Sequence, residues 1–266
     1  MFQRLQLIWH HRSLLWELAS KVLKMRYKSA AFGVAWAVIP SLMLAAVFTL
    51  IFGYLVPGRP GDGAIRNYPL WILVGLVPWN FLAVTLGECT QSMIHNAPVI
   101  KKVYFPRETI VLSIVLANLL PLVSALAVIG VLMAFYRVAP PAAVIALPLV
   151  VAVQVAFVTG LSLGASALNV KFRDVNYIVQ AVMIPWFFLS GIFFSRATVA
   201  ADHPAAAKWI LLNPMVGIIE SYRAVLLGGS DRLAAPLVTA AGMAIVALTV
   251  GAVIFVRRER LFADHL

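Results

Sequence analysis

Acidic residues are scarce in this chain of 266 residues: ten Asp and Glu, with 21 Lys and Arg, bring the charged fraction to only 12%, about half of what a soluble domain carries. The 62% of apolar residues leaves too little polar surface to cover a water-soluble fold, so lipid must be the solvent. Cysteine is nearly missing as well. Cys89 stands alone, which excludes an intrachain disulfide and a thiolate zinc cluster. There is no G-x-x-x-x-G-K-[ST] loop, so the chain has no visible cradle for nucleotide phosphates. It also lacks an H-E-x-x-H helix, a G-x-S-x-G elbow and a carboxylate pair placed within a span as an acid–base couple. His10, His11, His95, His203 and His265 are scattered, and no catalytic residue or metal ligand set is nominated. No short apolar core opens the chain ahead of a cleavage site, so the first span is expected to remain in the mature protein.

Six apolar stretches of roughly 20 residues are present, at 33–56, 68–87, 110–135, 144–168, 177–194 and 234–256. Each is long enough to cross the hydrocarbon layer as a helix, which satisfies its own backbone where no water can. The expected fold is therefore an all-α membrane protein of six transmembrane helices. Prolines 40, 78, 121, 148 and 185 fall inside these runs and are read as kinks. Fourteen of the 21 Lys and Arg lie on one side of the six spans, including Lys101, Lys102, Arg107, Lys171, Arg173, Arg257 and Arg258. That asymmetry places both termini in the cytoplasm. The net charge of +11 thus reports membrane topology, and the absence of a basic face interleaved with aromatics argues against nucleic acid as a partner.

Residues 1–30 read as an amphipathic helix lying in the membrane interface, with Trp9 and Trp16 on the apolar stripe; 31–266 form the six-helix membrane domain. The outer segment 195–232 is neither a clean span nor a polar loop and is expected to hold short re-entrant or interfacial helices; the simpler alternative is a helix lying on the outer leaflet. Within it, Glu220 and Arg223 have the i, i+3 spacing of a helical ion pair. Glu88 stands near the cytoplasmic end of the second span, where structural pairing is favoured over a proton relay. No internal repeat or long linker is evident.

The loop after the second span reads Asn96-Ala-Pro-Val-Ile-Lys-Lys-Val-Tyr-Phe-Pro-Arg-Glu108, and it resembles a signature of the polysaccharide-exporting permeases of the type-2 ATP-binding cassette exporter family. Further strings similar to that family follow in its order: Arg26-Tyr27-Lys28 with Gly33 and Trp36, Gly75-Leu-Val-Pro-Trp79, Leu168-Asn-Val-Lys-Phe-Arg-Asp174, and Leu212-Asn-Pro214 with Glu220 and Arg223. Ala30 departs from the serine of the first motif.

The resemblance implies a homodimer around one channel, with two separate nucleotide-binding subunits supplying ATP and Mg chemistry; no cofactor is implied in this chain. It implies that the loop 96–109 docks on the ATPase, with Lys101, Lys102, Tyr104, Phe105, Pro106, Arg107 and Glu108 in contact, and that Trp9, Trp16, Arg26 and Tyr27 belong to a cytoplasmic gate. The residues support the first point independently, since basic and aromatic side chains are what anchor such interfaces. The implied cargo is a lipid-linked polysaccharide, capsular or O-antigenic, crossing a bacterial inner membrane, with the onward path through periplasmic proteins left open. Trp36, Phe48, Trp71, Trp79, Trp186, Phe187 and Phe188 are the candidates for lining its channel, against a role as a lipid-facing belt. Teichoic-acid or drug export by a related permease is the nearest alternative. A membrane-embedded glycan-assembly enzyme or an ion-coupled transporter represents the other classes.

Overall fold

The computed structural model describes residues 7, 12–28, 33, 36, 38–51, 67–102, 105–194, 199, 210, 212–228, 233–260 and 262. Through them run the helices α1 (Arg12–Tyr27), α2 (Ile39–Leu50), α3 (Tyr68–His95), α4 (Ala97–Lys102), α5 (Glu108–Phe135), α6 (Leu147–Lys171, entered through a 3-10 turn at Ala142–Ala146), α7 (Asp174–Leu189), α8 (Pro214–Leu227) and α9 (Ala234–Glu259). α3, α5, α6 with its leading turn, and α9 are long and apolar enough to cross a membrane. Within the described residues α2 and α7 are shorter apolar helices.

Prolines sort by position. Pro40 and Pro148 stand in the first turns of α2 and α6, as do Pro69 in α3 and Pro214 in α8. A first-turn N–H has no intrahelical partner, so these prolines start helices and do not kink them. Pro78, Pro121 and Pro185 do lie inside α3, α5 and α7.

α3 is the axis of the bundle. α2, α5, α6, α7 and α8 all pack on it, and 78% of its apolar window is buried, against 17% for α9. α3 therefore runs through protein, while α9 leaves most of its surface uncovered by the other described helices. The helix also continues past Gly87 to His95, because its polar end is satisfied locally: Thr90 donates to the Leu86 carbonyl at 2.6 Å and Ser92 to the Cys89 carbonyl at 2.6 Å.

With no hydrophobic drive between helices in lipid, small residues and polar ties must supply the association. Both occur here. α6 and α9 meet backbone to backbone: a Cβ built on Gly160 would lie 2.3 Å from the Ala247 carbonyl carbon, while one on Gly164 would sit 3.7 Å from the Gly251 Cα. Gln154 of α6, wholly buried, donates to the Pro78 carbonyl of α3 at 2.7 Å and accepts from the Tyr222 hydroxyl of α8 at 2.6 Å. Asn169 donates to the Thr90 carbonyl at 2.9 Å and accepts from the Asn176 backbone, joining α3, α6 and α7.

α8 is only 14 residues long yet buries Met215, Ile218, Ile219, Tyr222 and Val225 among its neighbours. It is not a helix lying on the outer leaflet. At about 21 Å it is too short to cross the membrane alone, and it packs on α3, α6 and α9. Its start is fixed by Asn213, which accepts from the Met215 backbone at 3.1 Å and from the Trp186 indole at 3.0 Å.

Candidate functional site

The ends of α3, α5, α6, α7 and α9 that carry the basic residues come together. Arg107, capping the start of α5, donates to the Glu259 carbonyl at 2.5 Å and lies 5.5 Å from the Phe262 ring. Arg258 and Lys171 both rest on the Phe172 ring, at 5.4 and 5.3 Å. This shared end is where the positive-inside reading puts the cytoplasm.

Near that end a cavity of about 420 Å³ opens between α1, α2, α3 and α5. Its floor is a three-residue polar network. Arg26 pairs with Glu88 and donates to the Asn118 amide oxygen at 2.9 Å, while the Asn118 amide donates back to Glu88 at 2.9 Å. Tyr27, Trp36 and Phe81 add ring faces, and Asn80 donates to Ser41 at 3.3 Å on the wall. Glu88 is thus a structural partner, as its place in the sequence suggests. Asn118 is not apparent from the sequence except as an amide inside an apolar run, a position that needs a partner.

α1 is fastened to the bundle through this network. Ala19 is buried, Leu14 and Val22 pack on the core, and Trp16 stays 66% exposed on the other face. Trp9 lies outside the described residues. Arg26 and Glu88 remain partly open to water, which limits the pair to about 1 kcal/mol. Arg26→Ala is expected to raise tryptic cleavage of α1 at Lys21 and Lys24 roughly fivefold, and the exchanged pair Arg26→Glu with Glu88→Arg is expected to recover most of the protection. Unchanged cleavage in the single variant would remove the network as the fastening.

The aromatic candidates divide into three groups. Phe48, Trp79, Trp186, Phe187 and Phe188 form one cluster, joined by Phe193: Phe48 and Phe193 meet at 4.6 Å, Trp79 and Phe187 at 5.6 Å, Trp79 and Trp186 at 5.9 Å, Phe187 and Phe188 at 5.2 Å. Trp79 is buried within the protomer, whereas Phe188 is 55% exposed. Trp36 is exposed and lines the cavity.

Trp71 serves a different purpose. The Arg223 guanidinium lies 3.3 Å over its ring and donates to the Gly191 and Ile192 carbonyls at 2.7 and 2.8 Å. Gly191 adopts φ 79°, which turns these carbonyls onto the cation, and Gly75 leaves the room: a Cβ there would sit 2.9 Å from Arg223 Nη2. Glu220, one turn earlier, supplies countercharge. The segment that ends α7 is thereby tied to α3 and α8 through one buried cation.

In the loop 96–109, Lys101 and Lys102 point outward at the end of α4. Phe105 is buried and Arg107 is engaged on α9, so these two hold the loop in place; Pro106 and Glu108 are also buried, and Tyr104 lies outside the described residues.

Residues 13–227 match the ABC-2 type transporter family. The chain is 29% identical to an O-antigen export system permease protein of Myxococcus xanthus, over 266 residues and the whole of both chains. An O-antigen export system permease protein of Klebsiella pneumoniae is 32% identical over 219 residues, which is 82% of this chain and 81% of that one.

Proposed function

The chain belongs to the ABC-2 type transporter family, and on that footing we propose that it is the membrane permease of a bacterial exporter carrying a lipid-linked polysaccharide of the O-antigen class across the inner membrane. The observation that carries this reading is the end-to-end likeness to an O-antigen export permease. Capsular polysaccharide is the closest variant of the same cargo.

In this reading two copies of the chain enclose the channel, each with six spans, the shorter α2 and α7 completing the four long helices. Both termini are cytoplasmic. Two ATPase subunits dock beneath, against the outward Lys101 and Lys102 of α4. The cavity closed by α1 faces the same side, and its chemistry suits a sugar: ring faces at Tyr27, Trp36 and Phe81 for C–H surfaces, and Asn80, Asn118 and Glu88 for hydroxyls. Release of Arg26 from Glu88 would let α1 swing and the entrance widen. Trp36 and Phe188, the exposed aromatics, would touch the polymer, while Trp71 and Trp79 hold the frame.

The test is affinity purification of the tagged chain in mild detergent from cells that express it with its own operon. A near-equimolar partner bearing a phosphate loop is expected, and Lys101→Glu with Lys102→Glu is expected to reduce its recovery at least tenfold with the permease still in the membrane. Recovery of the permease with no ATPase at all would overturn the reading.

A further inference from the structure

A second hollow has no part in that reading. A groove of about 730 Å³ runs between α7 and α9 over the surface of α6. Ile178, Val182 and Trp186 form one wall, Val246 and Val250 the other, and Gly164 the floor. α7 buries none of its residues, and Ile178 and Val246 are 58% and 61% exposed, so the groove is open to the side.

Its length and its charge identify what it fits. Along α9 the lining runs from Gly242 to Ile254, about 18 Å of helix, close to the depth of one leaflet of a hydrocarbon core about 30 Å thick. The lining residues Leu168, Val175 and Ile254 mark the end nearest the basic surface. Within one turn beyond them stand Lys171, Arg173, Arg257 and Arg258, outnumbering the nearby Asp174 and Glu259. Phe172 holds Lys171 and Arg258 against its ring, which fixes two of the cations at the mouth of the groove.

We propose that this groove binds an anionic phospholipid of the basic-side leaflet, with an acyl chain between α7 and α9 and the phosphate against Lys171, Arg173 and Arg258. Basic pockets between transmembrane helices take anionic headgroups in this way. The lipid would fill the gap that α7 leaves beside α9 and link the two helices without a protein contact.

The experiment is native mass spectrometry of the delipidated protein titrated with phosphatidylglycerol and, separately, with phosphatidylethanolamine. Wild-type protein is expected to retain phosphatidylglycerol selectively. The Lys171→Ala, Arg173→Ala, Arg258→Ala variant is expected to need roughly a hundredfold more of it for the same occupancy. Val246→Trp, which fills the groove from an exposed position, is expected to abolish the tight site while the protein elutes normally on size exclusion. Three results would each overturn the proposal: equal binding by the triple variant, loss of the co-purifying lipid in cells that make no carrier-linked glycan, or Val246→Cys cross-linking one copy of the chain to another. The second would make the carrier lipid the occupant, and the third would make the groove a seam between protomers.

Discussion

Gly160→Ala is expected to strip the folded protein from the membrane, whereas Gly164→Ala, one helical turn away on the same face, is expected to be tolerated. The difference lies in what each new methyl meets. At Gly160 it would stand 2.3 Å from the Ala247 carbonyl carbon and 2.4 Å from the Leu248 nitrogen; at Gly164 its nearest neighbour is 3.7 Å away. Backbone cannot rotate aside as a side chain can, so α6 and α9 must separate, and the packing along their whole contact loosens. In a bilayer that packing is most of what joins two helices. Overpacking of this kind generally costs about 1–3 kcal/mol and more where backbone blocks the way. Gly130→Ala supplies the control, since nothing lies within 4 Å of its added methyl. There the better helix propensity of alanine is expected to leave stability equal or raise it by up to about 1 kcal/mol. Fluorescence-detected size exclusion after a heat series ranks the three variants, and equal midpoints for Gly160→Ala and Gly130→Ala would refute the backbone contact.

Arg223→Ala is expected to rank beside it. The arginine is buried, and its loss leaves the Gly191 and Ile192 carbonyls without their donors and exposes the face of Trp71 to an empty space. Hydrogen bonds to a charged group contribute about 1.5–3 kcal/mol each. Two of them amount to about 3–6 kcal/mol, a fall of roughly 10 °C or more in the unfolding midpoint. Arg223→Lys is not expected to rescue, because one ammonium cannot lie flat on the indole and reach both carbonyls. Gly75→Ala should reproduce part of the defect from α3, since its methyl would press on Nη2 while the guanidinium is locked in place. If Arg223→Lys matched the wild type in midpoint and assembly, point charge alone would suffice and the bidentate geometry would have no role.

Much of the architecture is legible in the chain because a bilayer imposes a length. The four long helices coincide with apolar runs, and the basic residues mark one shared end, as the observed meeting of Arg107, Lys171 and Arg258 bears out. α3 outruns its expected end at Gly87 because Glu88 reads as a boundary until Arg26 and Asn118 are seen to neutralise and bind it. The loop 96–109 likewise divides only in three dimensions: Lys101 and Lys102 face out, whereas Phe105 and Arg107 turn inward. The G-x-x-x-G spacing of Gly160 and Gly164 was a signal for the α6–α9 contact, but spacing alone does not tell which glycine touches backbone.

What the sequence determined by itself is what depends on local composition: the membrane as solvent, the long spans, the bias of Lys and Arg to one side, and the family through motifs kept in order. What only the tertiary structure decided depends on partners distant in the chain. Arg223 closes on carbonyls 31 and 32 residues away and on Trp71 of another helix. Asn118 completes a pair begun 92 residues earlier, and Gly160 meets the backbone of Ala247 and Leu248 on a helix far along the chain. Hydrophobicity is a property of a segment and can be summed along it, whereas a hydrogen bond or a backbone contact exists only between segments the fold has already brought together.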